Sequence, residues 1–243
     1  MWRRDETSVF QAARVDLHVT DDPWLFSDRH REAISAHWER RRLVTPNFFN
    51  GVVHLLTQYN LSGDGVLSAR FLRTDFRSFL YWRETGWPDT GVMDAFGSAL
   101  LLSAEGRVLL GRQRAGNLNS GLCYPPGGFI DARDVREDGS IDIEGSVARE
   151  ILEETGLSAP AIARGQGYVI TIAGPVLSIA VPYRSGLPGA ALLDEIRRHI
   201  SADADSELAD LVLAAPEERN AELPMPDYAL ALLSHLPHLK TLS

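Results

Sequence analysis

The chain has one cysteine, Cys123, in 243 residues, so no disulfide can form within it and a reducing compartment is the expected one. It also lacks a long apolar run. The most apolar region, residues 168–183, is broken by Gly174 and Pro175; it is too short to span a bilayer and reads as two paired strands. Cations are in deficit: 24 Lys and Arg against 33 Asp and Glu leave a formal net charge of -9. That balance argues against a general nucleic-acid binder, whose affinity comes from clustered Lys and Arg on phosphates. A small anionic ligand is compatible with it if metal neutralises the charge. There is no repeat of fixed period and no low-complexity tract. No apolar stretch follows Arg3 and Arg4 as a secretory signal would require, so the cytoplasm is expected, with neither membrane nor nucleic acid as partner. What is present, 44% hydrophobic and 23% charged residues at this length, suffices for a full core.

Two unequal parts are expected, a smaller α+β module over residues 1–90 and a larger α/β domain over 91–243. In the first, Ala33, Ile34, His37, Trp38 and Arg41 recur at helical spacing within 27–42. Strands at 52–59 and 65–72 flank a Ser62-Gly63-Asp64 turn, and a helix follows at 75–84. The turn-rich segment 86–91 marks the boundary. In the second part, strands are expected at 98–102, 107–112, 168–171 and 176–181, and helices at 142–155, 190–199 and 227–235.

The informative segment is Arg149-Glu150-Ile151-Leu152-Glu153-Glu154-Thr155-Gly156-Leu157, preceded by Gly127-Gly128. On a helix, Glu150 lies three residues from Glu153 and four from Glu154, so the carboxylates share one side. Crowded carboxylates repel; a divalent cation stabilises their ionised forms and takes them as oxygen ligands. Arg149, one turn from Glu153, can hold a carboxylate in place.

This segment resembles the signature of the Nudix (MutT-like) family: glycine, five residues, Glu, seven residues, then Arg-Glu-aliphatic-any-Glu-Glu-any-Gly-aliphatic. Residues 149–157 agree at every specified position, for which chance matches in such a chain number on the order of 10⁻⁴. The first half departs from the pattern. Gly128 and Arg149 are 21 residues apart rather than 14, and Ile141 stands where counting back from Arg149 puts the first glutamate, so seven residues are inserted. Asp142 is the favoured substitute; it also suits a helix N-cap. The resemblance implies a Nudix fold, a mixed sheet sandwiched between helices, and hydrolysis of a pyrophosphate linkage in a nucleoside diphosphate derivative with Mg²⁺ or Mn²⁺. It implies Glu150, Glu153 and Glu154 as metal ligands with the Gly128 carbonyl, Arg149 as their orienter, and Glu153, Glu154 or Glu207 as general base. Proximity in sequence adds Arg112 and Arg114 for pyrophosphate oxygens and Tyr124 to pack on the ligand. A weaker likeness of residues 32–50 and 74–80 to a module that precedes the domain in a UDP-sugar-directed, mammalian-type branch makes UDP-glucose or UDP-galactose the first guess. Nudix enzymes often dimerise, so a homodimer is a possible assembly.

Plainer roles stand beside these. Arg40, Arg41 and Arg42 complement a helix end, the histidines are scattered, and Cys123 reads as a small packed side chain. A non-catalytic sensor built on the same fold is the main alternative, and retention of the glutamates favours the enzyme. A cap-removing RNA hydrolase is disfavoured by the acidic balance.

Overall fold

The computed structural model describes residues 2–215 and 223–239. Sequence alone marks no element before Pro23, yet two strands lie there, β1 (Thr7–Ala12) and β2 (Arg14–Thr20). Both are edge strands with mostly half-buried side chains, so neither shows the clean two-residue alternation of a strand with one dry face. The expected helix over 27–42 is two pieces, α1 (Leu25–Arg29) and α2 (Arg31–Val44), broken at His30, which has a φ of -110°. The strands β3 (Val52–Leu61) and β4 (Val66–Asp75) form the expected hairpin, with Gly65 at φ +79° supplying the turn. With β2 they make a three-stranded sheet in the order β2-β4-β3. The helix α3 (Phe76–Glu84) then starts where the Asp75 carboxylate accepts the Ser78 amide at 3.0 Å.

The larger sheet is built from β5 (Asp94–Leu102), β6 (Val108–Gln113), β7 (Cys123–Tyr124), β8 (Gly127–Phe129), β9 (Ile162–Arg164), β10 (Tyr168–Ala173), β11 (Val176–Ser185) and β12 (Leu208–Ala214), together with β1. Its main path runs β1-β10-β11-β5-β6-β12, with β7 on β6, β8 on β5 and β9 on β11. The sheet is mixed, because β5 and β11 run parallel while β10 and β11 form an antiparallel hairpin. Helices α4 (Ile143–Thr155) and α5 (Gly189–Ala202) cover one face through Val147, Ile151, Leu192 and Ile196. Helix α6 (Asp227–His235) covers the other through Leu232 and Leu233. The result is the expected mixed sheet between helices. Strand β12 went unread because Leu208 to Ala214 alternates only loosely between buried and exposed.

The two sheets share a core. Leu17, Leu56, Leu67 and Phe71 pack with Ile130, Ile143, Ile170 and Leu177 in one cluster. Leu56 and Met93 exchange backbone hydrogen bonds at 3.0 and 2.8 Å, and the Trp2 indole donates to the Val92 carbonyl at 2.8 Å. The boundary near residue 90 thus crosses continuous packing, and β1 belongs to the larger sheet; Met1, residues 216–222 and residues 240–243 lie outside the described residues.

Candidate active site

The helix that carries the carboxylates is bounded by local chemistry. Asp142 accepts the Gly145 amide at 3.0 Å at its start, and Gly156, at φ +71°, closes its end while donating to the Leu152 carbonyl at 2.9 Å. Ile143, Val147 and Ile151 seat one side of α4 on the sheet, which leaves the glutamates on the side facing the loop around β8. The seating is close: a Cβ on Gly97 would lie 2.7 Å from Val147 Cγ2. Strands β5 and β6 pair only at Leu102 and Val108, and farther along β8 lies on β5 and β7 on β6. The Gly127-Gly128 backbone therefore lies in an opening of the sheet beside the end of α4. A Cβ on Gly127 would sit 2.3 Å from the Gly97 carbonyl oxygen, so no side chain fits there, and one on Gly128 would sit 2.6 Å from Glu150 Oε1 and displace that carboxylate.

Glu154 is 6% exposed, and its Oε2 is buried with no hydrogen-bond partner among the described residues. Burial, then the charges of Glu150 and Glu207, hold its carboxyl well above the usual range, against the Gly127 amide, which pulls it down. Burial and then Glu153 and Glu207 push Glu150 up to about 7, opposed by Arg149 and Arg133. Glu207 lies on an exposed stretch before β12, yet enclosure of its carboxyl and the nearby Glu153 raise it too. Glu153 is exposed, with Arg133 Nη1 at 3.8 Å. Four carboxylates from two elements thus share one field. Among the described residues no three such side chains converge on a single coordination point. The surplus negative charge, the unpartnered buried oxygen and the side-chain-free cradle at Gly128 nonetheless fit a divalent cation with oxygen ligands.

The support of this group differs from the expectation. Asp142 does not replace the first signature glutamate: it caps α4 and pairs with Arg136 at 2.9 Å. Asp134 takes that place. Its fully buried carboxylate accepts Arg149 Nη2 at 2.7 Å on one oxygen and the Asp131 amide at 2.9 Å on the other. Counting forward from Gly128 by the signature's own spacing reaches Asp134, whereas counting back from Arg149 reaches Ile141. The insertion therefore follows the acidic position. It forms a small hairpin in which Val135 bridges Ile141 and Gly139 turns at φ +79°. This hairpin docks on β2: Val19 donates to the Gly139 carbonyl and Ile141 to the Leu17 carbonyl, each at 2.9 Å.

Arg114 donates from Nη1 to the Ala204 carbonyl at 2.8 Å and from its backbone amide to the Glu207 carbonyl at 2.8 Å, so it fixes the loop that carries Glu207. Arg112, half-buried on β6, reaches the Gly121 carbonyl only at 3.4 Å. Tyr124 stands on β7 with its ring 6.2 Å from that of Tyr228, and burial raises its hydroxyl. Its oxygen accepts Asn119 Nδ2 at 3.2 Å, and Asn119 Oδ1 accepts Arg83 Nη2 at 2.6 Å. Arg83, on α3, lies far from the signature in sequence, and nothing in the chain's local pattern marks it. Nor does any local pattern mark His54 on β3, whose amide and Nδ1 both lie against the Ile130 carbonyl at 3.1 and 3.0 Å, bracing the turn after the glycine pair. Cys123 is buried among apolar side chains.

No curated protein matches this chain. Solved structures similar to part of it include the following three. A Nudix hydrolase from M. smegmatis is 18% identical over 59% of this chain and 82% of its own, with a TM-score of 0.40. A MutT protein from Methanosarcina mazei is 22% identical over 60% and 94%, with a TM-score of 0.40. A C. elegans Ap4A hydrolase is 14% identical over 59% and 96%, with a TM-score of 0.41. A family model described as NUDIX domain matches residues 93–175. The stretch that holds the glycine cradle, the Asp134–Arg149 pair and the three glutamates of α4 is therefore the stretch that matches the Nudix domain family.

Proposed function

We propose that this chain is a metal-dependent hydrolase of the pyrophosphate linkage in a nucleoside diphosphate derivative, with a nucleotide sugar such as UDP-glucose as the first substrate to try. The observation that carries the reading is Glu154: a buried carboxylate with an unpartnered oxygen, inside the field of Glu150, Glu153 and Glu207. Such a group is costly to keep unless a cation or a proton compensates it. In this reading Glu150, Glu153 and Glu154, with the Gly128 carbonyl, hold Mg²⁺ or Mn²⁺. When bound there, the metal would supply a lowered pKa to water and positive charge beside the phosphoryl oxygens.

The chain's own residues do the positioning. Arg149, anchored by Asp134, ties α4 to the loop that follows the glycine pair, so that Glu150 stays over Gly128. In this reading Glu207, whose carboxyl burial and Glu153 raise, or Glu153 or Glu154, accepts the proton; the closeness of Glu207 to the α4 carboxylates supports it. Arg112 is the cation for the pyrophosphate, and Tyr124 packs on the ligand. Arg114 acts through the Glu207 loop. A cytoplasmic site of action, a small-molecule partner and a homodimeric assembly belong to the same proposal; among the described residues no helix is long and apolar enough to cross a membrane.

The test is hydrolysis of UDP-glucose, UDP-galactose, ADP-ribose, dinucleoside polyphosphates, NADH, coenzyme A and nucleoside triphosphates with Mg²⁺, resolved by chromatography. Cleavage of one class that is abolished by chelator and by Glu154→Gln supports the reading. No turnover of any, with a ligand that still raises the melting temperature, would replace it with the sensor.

A further inference from the structure

The sheet face turned toward α6 is apolar over much of its area, as a buried face should be, but not where β5 and β11 begin and along the neighbouring stretch of β10. There Asp94, Ser98, Thr171 and Ser178 lie on adjacent strands, each buried. Two of them satisfy each other, with Ser98 Oγ 2.8 Å from Ser178 Oγ. The other two do not: Asp94 Oδ1 and Thr171 Oγ1 are buried without a hydrogen-bond partner among the described residues. Asp94 is 7% exposed, and among the described residues no salt bridge reaches it, though the charge of Arg83 acts on it. A native structure rarely leaves a carboxylate oxygen in that condition unless a proton, a water or a ligand completes it.

The surroundings define what that is. Phe96 is two residues along β5 from Asp94 and on the same face, with its ring 5.1 Å from that of Tyr228 at 76°. Tyr228 in turn approaches Tyr124, so flat rings border the carboxyl. The Tyr124 oxygen already accepts from Asn119, which Arg83 orients, and this fixes the ring's position from the side of α3. The charge of Glu154 reaches both tyrosines, so the patch adjoins the carboxylate field already described. Rings that can stack and one strong acceptor that lacks a donor suit a planar heterocycle presenting an N–H.

We propose that this patch is the nucleobase subsite, with Asp94 accepting an imide or amino N–H of a base that lies against Phe96, Tyr124 and Tyr228. The proposal rests on the nucleotide-hydrolase reading for the kind of ligand, but the subsite binds whether or not the bond is cut. Burial pushes the Asp94 carboxyl up to about 6, which still leaves it ionised, and an acceptor, above neutral pH. It selects bases by their donor edge, and Arg83, through Asn119, holds Tyr124 beside the patch.

The experiment is calorimetric titration of UMP, CMP, AMP and GMP at pH 8 into the wild type, Asp94→Asn, Phe96→Leu and Glu154→Gln, each checked for a native circular dichroism spectrum. The expected result is one preferred monophosphate for the wild type. Glu154→Gln should keep that order, Phe96→Leu should bind it several-fold more weakly, and Asp94→Asn should bind it at least tenfold more weakly with a changed order among bases. An Asp94→Asn protein with wild-type affinity and base order overturns the subsite, as does a wild type that binds none of the four. Hydrolysis is read separately: base-selective binding without turnover leaves the subsite standing and removes the hydrolase, and turnover without base-selective binding does the reverse.

Discussion

On β5, Ala95, Gly97 and Ala99 face α4 while Asp94, Phe96 and Ser98 alternate onto the α6 side, so neighbouring residues of one strand meet two different demands. The α4 side is set by volume: no Cβ fits at Gly97 because Val147 and Ile143 are already there. The α6 side holds polar groups that packing does not need, and two of them, Asp94 Oδ1 and Thr171 Oγ1, find no partner among the described residues. A face tuned for packing should answer to substitution with lost stability, and a face kept for a ligand with lost binding.

That contrast can be broken in order of effect. Glu154→Gln keeps the shape and removes the charge that links both sides, and should lower kcat by about 10³-fold with KM little changed, read by steady-state kinetics. Asp134→Ala leaves Arg149 without its buried partner and should cost about 3–5 kcal/mol in chemical denaturation. Gly97→Val overfills the α4 side and should cost about 1–3 kcal/mol, against under ~1.5 kcal/mol for Phe96→Leu on the other side; equal costs would erase the distinction. Stability should also depend on pH when chelator is present. A carboxyl raised in the folded state keeps a proton that the unfolded chain has already released, so its contribution is whole below 4.5 and is lost as pH climbs through about 7 for Glu150. Thermal melts should therefore fall by several degrees across that window, and Mg²⁺ should recover the loss at its upper end. Smallest is Asp142→Ala, which removes a cap worth about 1 kcal/mol and should leave kcat unchanged; a large loss of activity would return Asp142 to the site.

The site was legible in proportion to how local its chemistry is. Residues 149–157 sit on one helix, so spacing alone gathers Glu150, Glu153 and Glu154 on one side. Asp134 was within reach, because the count forward from Gly128 lands on it, but an insertion makes two counts disagree and only the Arg149 contact says which end is in register. Arg114 read as a phosphate ligand because guanidinium suits phosphate; it also suits carbonyls, and the folded loop offered those. Strands β1, β2 and β12 escaped because an edge strand is wetted on more sides and loses its periodicity.

The sequence by itself determined the mixed α/β class, the carboxylate helix with its glycine stop, the hairpin at 62–65, and the need for glycine ahead of the helix. These follow from near-neighbour geometry, which residue order specifies directly. Only the tertiary structure decided that Asp134 anchors Arg149, that the inserted hairpin docks on β2, that Arg83 of α3 and His54 of β3 brace the loops, and that Asp94 Oδ1 finds no donor among the described residues. Each of those depends on which surfaces are brought together by burying apolar area, a non-directional force that leaves no local mark on the polar residues it strands or joins.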